Sequence, residues 1–152
     1  MLNGISRQDL DDILFGALQA IYRFERVKVQ RFGLTYEQIY LLQFLRRQGS
    51  AAMSDIAAEM RIPVSTATRL IDRMEKRQLL NRRQSHDDKR SRIVEIEASG
   101  ENLVQAVEDH TFSRISTNLE KITDVDISGV IRTATNLNAI LNVDTTEGEK
   151  GS

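Results

Sequence analysis

Cysteine is absent from the 152-residue chain, which excludes a disulfide framework, a reactive-thiol sensor and cysteine-ligated zinc. Two histidines, His86 and His110, supply only part of any metal site, so neither a metal nor a cofactor is expected. No apolar run approaches the roughly 18–20 residues of a membrane helix. The N-terminus lacks a signal-peptide pattern. A cytoplasmic location and no membrane partner are expected. There is no nucleophile–base pair, no phosphate loop and no metal-ligand spacing, so an enzyme is not expected. Tryptophan is missing and proline occurs once, at Pro63. With 40% hydrophobic residues and much Leu, Ile, Arg and Glu, a mostly helical chain with a sizeable core is expected. Its length suits one domain, or one domain with a dimerisation extension.

The chain is organised around residues 53–96. Ile56, Ala57 and Met60 share one face of a short helix. Pro63 interrupts it and suits the first turn of a second helix, with Ser65 and Thr66 as early polar residues. In that second helix Ala67, Leu70, Ile71 and Met74 form the apolar stripe. Ser65, Thr66, Thr68, Arg69, Asp72, Arg73 and Arg77 are left facing out. Two short helices, the second bearing arginines on its outer face, have the layout of a helix-turn-helix. After Leu79-Leu80 the period changes. Residues 81–84 and 92–97 alternate like strands around a polar turn at 85–91, making a basic hairpin, or wing, behind the recognition helix.

Charge segregates the same way. Residues 61–92 hold ten Lys/Arg against four Asp/Glu, whereas residues 93–152 hold four against eleven. The overall charge of −1 therefore hides a basic segment, and local positive density is what phosphate binding requires. A merely solvated basic face is the plainer explanation, but here the charge coincides with the helix-turn-helix.

On either side lie long amphipathic helices. Ser6 to Asp9 has the form of a capping box and opens a helix carrying Leu10, Ile13, Leu14, Ala17, Leu18, Ile21 and Phe24, closed by Gly33. Thr35 to Gln38 is a second capping box, opening a helix that ends at Arg46, Arg47 and Gly49. Ser99-Gly100-Glu101 starts another long helix reaching Ile122. A final one runs from about Val125 to Leu141. The expected domains are a helical dimerisation region over 1–33 and 99–142, a winged helix-turn-helix over 34–98, and a disordered tail over 143–152. A twofold homodimer built from both chain ends is the economical way to bury the flanking stripes. The alternative is four-helix packing within one chain.

These residues resemble the multiple-antibiotic-resistance regulator (MarR) family of winged-helix repressors. Residues 63–77, PVSTATRLIDRMEKR, look like the family's S-T-x-[ST]-R-L-[IV]-D-R-L-E-K-R run. The wing tip Asp87-Asp88-Lys89-Arg90-Ser91 looks like its D-x-R-[SAG] motif. The resemblance covers residues 8–142. It implies that Ser65, Thr66 and Arg69 enter the major groove of double-stranded DNA and that Arg73 sits at or near the backbone. It also implies that Arg90 reaches the minor groove while Asp88 positions it by an ion pair. Thr68, Arg77 and Arg92 complete the expected DNA-binding set. Guanidinium groups read guanine edges bidentately and favour a narrow minor groove. Where the family usually has glycine, this chain has Arg61 and Gln78. Either those turns take another geometry or backbone strain is tolerated.

The resemblance also implies a small-molecule effector, often aromatic, held where the dimerisation helices meet the winged helix. Tyr22, Phe24, Tyr36 and Tyr40 are candidates for such a pocket, although aromatic residues at helical spacing are more often core. His110 lies on an apolar stripe and is expected to be an interior or interface residue. His86 is expected to be solvated in the wing. The function expected is a sequence-specific dimeric repressor released by ligand. The alternative is a winged-helix protein-interaction module without DNA binding.

Overall fold

Local capping sets the first elements. In the computed structural model, which describes residues 4–88, 91–124 and 126–142, Ser6 and Asp9 close a reciprocal capping box that opens α1, Arg7–Phe32. The Ser6 hydroxyl donates to Asp9 and holds its carboxyl below the ordinary value. Gly33 then ends α1 in the left-handed conformation, at φ 62°. A second box between Thr35 and Gln38 opens α2, Tyr36–Gln48. Both boxes match the sequence reading.

The middle of the chain supplies β1 (Ser50–Ala52), α3 (Met53–Met60), α4 (Val64–Lys76), β2 (Leu80–Gln84) and β3 (Arg92–Ile96). Strand β1 was not expected. It makes a three-stranded antiparallel sheet in the order β1-β3-β2, with Ala51 opposite Val94 and Arg82 opposite Val94 on the other side. Pro63 stands one position earlier than expected, as the N-cap of α4 rather than within its first turn. Leu41, Leu42, Leu45, Ile56, Ala67, Ile71, Met74 and Val94 are fully buried, so α2, α3, α4 and the sheet share one core.

Both turns around α4 keep the left-handed geometry despite lacking glycine: φ is 51° at Arg61 and 57° at Gln78. At each, the residue beyond bonds five back, Ile62 N–H to the Ala57 carbonyl and Leu79 N–H to the Met74 carbonyl. The strained residue itself bonds back to Ala58 or Glu75. Each is a Schellman motif, whose hydrogen bonds and buried follower offset roughly 1–2 kcal/mol of side-chain crowding.

Helix α5 spans Ala98–Leu119, ending short of the Ile122 expected, and α6 spans Ile127–Ile140. Val125 and the tail 143–152 lie outside the described residues. A Cβ at Gly100 would collide with the Leu79 carbonyl and come within 2.8 Å of Ile96 Cγ1. Glycine at that position lets α5 start hard against the sheet. The chain divides into two compact units, residues 1–111 and 112–152, with the boundary inside α5. Within the first unit, α1 leaves Ile13, Leu14, Phe15, Leu18 and Ile21 exposed, and its one buried side chain is Lys28, paired with Glu25 at 2.5 Å. Within the second, Asp126 caps α6 by accepting from Gly129 N–H, and Val130, Ile131 and Ile140 are exposed. Among the described residues no helix is long and apolar enough to cross a membrane.

Candidate nucleic-acid interface

Helix α4 is amphipathic because its period is regular. Ala67, Ile71 and Met74 face the core at 0% exposure while Ser65, Thr66, Arg69 and Arg73 are exposed on the opposite side. Thr68, half-buried, donates its hydroxyl to the Val64 carbonyl at 2.8 Å. The Arg69 Nε makes a long 3.5 Å contact to the Ser65 carbonyl, which leaves the rest of its guanidinium outward.

The cations sort into two groups that counting could not separate. Arg82, at the root of the wing, forks to Asp72 at 2.6 Å and Glu75 at 2.5 Å, both on α4. Its own backbone N–H also donates to Glu75. This bidentate hydrogen bonding holds the Glu75 carboxyl below the ordinary glutamate range. Arg83 crosses to Glu95 on β3 at 2.5 Å and lowers that carboxyl likewise. These two arginines fix the wing to the recognition helix and to itself. Arg77, also in the expected DNA-binding set, donates to the Gly33 carbonyl at 3.0 Å and ties the end of α4 to the end of α1. Sequence reasoning missed that bond because its partners lie 44 residues apart.

Arg92 is exposed at the start of β3. With Ser54 of α3 and Thr68 of α4 it borders a groove of about 540 Å³ between the recognition helix and the wing. The wing turn is held by Ser91 N–H donating to the Asp88 carbonyl and by Asp88 N–H donating to the Ser85 hydroxyl. Lys89 and Arg90, and with them the expected Asp88–Arg90 pair, lie outside the described residues. Among the described residues no group of His, Cys, Asp and Glu is arranged to hold a metal ion.

Two further features flank this surface. Arg46 of α2 donates to Gln105 at 2.6 Å and lies 3.6 Å from Glu101 and 3.5 Å from Glu108, three acceptors one turn apart on α5. Tyr22 and Tyr36, with Leu18, Ile21 and Val29, line a groove of about 530 Å³ between α1 and α2. Within the aromatic group, Tyr22 at 63% exposed and Tyr36 at 52% are not core as expected, whereas Phe24 is half-buried. Tyr40 donates to Glu59 at 2.5 Å, which raises its own pKa. His110 is half-buried, edge-on to the Phe32 ring at 5.8 Å.

A helix pair, a polar arginine-bearing second helix and a braced hairpin behind it define a winged helix-turn-helix protein. Residues 34–91 match the model of the MarR family. Over 96 residues it is 30% identical to the uncharacterized HTH-type transcriptional regulator YhbI of Bacillus subtilis, covering 60% of this chain and 62% of that protein. It is 29% identical over 77 residues to the HTH-type transcriptional repressor MdtR of the same organism, covering 51% of this chain and 48% of that one. The chain thus spans between about half and two thirds of the length of these relatives. Two solved structures share the fold. One is a MarR family protein from Bacillus stearothermophilus, with TM-score 0.77, 22% identity and coverage of 88% of this chain and 93% of that one. The other is Streptococcus pneumoniae FabT in complex with DNA, with TM-score 0.76, 15% identity and coverage of 90% and 97%.

Proposed function

We propose that this protein is a sequence-specific, DNA-binding transcriptional regulator acting as a homodimer, and that it represses its targets. The observation that carries this reading is the sorting of cations. Arg82 and Arg83 brace the wing, while Arg69, Arg73 and Arg92 stay exposed on the recognition helix and the wing beside it. Ser65, Thr66 and Arg69 read base edges in the major groove. Arg73 and Arg92 meet phosphates, and Arg90 enters the minor groove. The relative named as a repressor and the neighbour crystallised with DNA support the same reading.

The exposed apolar residues of α1 and of α6, each taken alone, support pairing with a second copy, which would set two recognition helices about one DNA turn apart. The groove beside Tyr22 and Tyr36 supports an aromatic effector. An effector preferring the dimer with wrongly spaced helices would lower operator affinity by its differential affinity alone. The test is selection of bound fragments from random duplex DNA at about 0.15 M salt, where nonspecific binding is weak. A recovered pseudo-palindrome is the expected result. A folded protein that recovers no motif overturns the proposal.

A further inference from the structure

We infer that Arg61, in the turn between α3 and α4, is a phosphate contact. The inference deepens the DNA-binding reading and rests on it. Arg61 holds the left-handed conformation, φ 51° and ψ 44°, where a side chain crowds the backbone and glycine does not. The chain supplies glycine at the two earlier helix ends with positive φ, Gly33 and Gly49. At the turn leading into the recognition helix it carries an arginine instead.

Nothing among the described residues explains that choice. The Arg61 backbone does all the capping, through its N–H to the Ala58 carbonyl, and the buried anchor is the next residue, half-buried Ile62. The Arg61 side chain is exposed, and among the described residues its guanidinium has no hydrogen bond or ion pair. Arg46, Arg77, Arg82 and Arg83 are all committed to such bonds. A strained residue whose side chain stabilises nothing in the fold points to a use outside it. Its position is three residues before Val64, the first residue of α4, on the same chain segment as exposed Ser65 and Thr66. A positive charge at that point meets the phosphates flanking the groove that α4 enters.

The experiment measures the affinity of full-length wild type, R61G and R61K for a fluorescent random-sequence duplex by anisotropy, titrating salt from about 0.05 to 0.2 M. R61G stays folded because glycine is favoured in this conformation, and its thermal midpoint is expected at or above that of wild type. Its salt slope is expected to be shallower by about 0.9 per bound chain. Wild-type affinity then falls roughly threefold more than that of R61G across the titration for each bound chain, or about twelvefold more for a bound dimer. R61K is expected to keep the wild-type slope. Equal slopes for wild type and R61G overturn the inference while leaving the DNA reading intact. So does an R61K slope as shallow as that of R61G. A wild type whose binding shows no salt dependence overturns the DNA reading itself.

Discussion

Helix α4 and helix α1 are written in the same amphipathic pattern and meet opposite fates. Ala67, Ile71 and Met74 are sealed at 0% exposure, whereas Ile13, Leu18 and Ile21 are each more than half exposed. The stripe on α4 is covered by its own chain, from α2, α3 and the sheet. The stripe on α1 is not covered by the rest of its unit, and α6, within the other, is bare in the same way. Periodicity therefore announces an apolar face, but not whether its own chain will cover it.

Substitutions on the two stripes break this comparison in different observables. Ile71→Ala should show the largest effect, a loss of about 2–5 kcal/mol in denaturant unfolding, because it opens a cavity at the centre of the core. Leu18→Asp should leave the far-ultraviolet dichroism unchanged and convert a dimer to a monomer in sedimentation. A variant that unfolds instead would place Leu18 in a core like that of Ile71.

The outer face of α4 sharpens the contrast further. Arg69→Ala should cost about 1–3 kcal/mol in operator binding and relax sequence preference at one position, with thermal stability unaltered. Arg82→Ala should do the reverse in kind and be smallest, weakening stability by about 1 kcal/mol after solvent screening of its half-exposed partners. It also carries a pH signature. The Glu75 carboxyl lies below its unfolded value because Arg82 bonds the charged form. The stability this contributes is present above the ordinary glutamate range, near 4.3, and is lost as pH falls through the folded value. Acid titration of stability should therefore be shallower in Arg82→Ala than in wild type.

What the sequence made legible was local. Both capping boxes, the stripe of α4 and the hairpin strands depend on residues within a few positions of each other, and the structure places them where they were read. The rest of the helix order was read from apolar periodicity and capping residues in the same local way. Strand β1 was illegible because Ser-Ala-Ala has no strand pattern of its own and exists only through pairing with β3, more than forty residues on. The turns at Arg61 and Gln78 were left open because their geometry is imposed by the buried residues that follow. Counting charge found the basic segment but could not tell bracing arginines from outward ones. That distinction depends on which carboxylates the fold carries to them, as it carries Asp72 and Glu75 to Arg82.

The sheet order β1-β3-β2 has a mechanical consequence. Its middle strand is gripped on both sides: β1 leads directly into α3, and β2 is bolted to α4 through Arg82. Hairpin and reading helix thus form one stiff jaw rather than two fingers. In the proposed dimer, each jaw would move on a duplex as a whole, like one arm of a caliper.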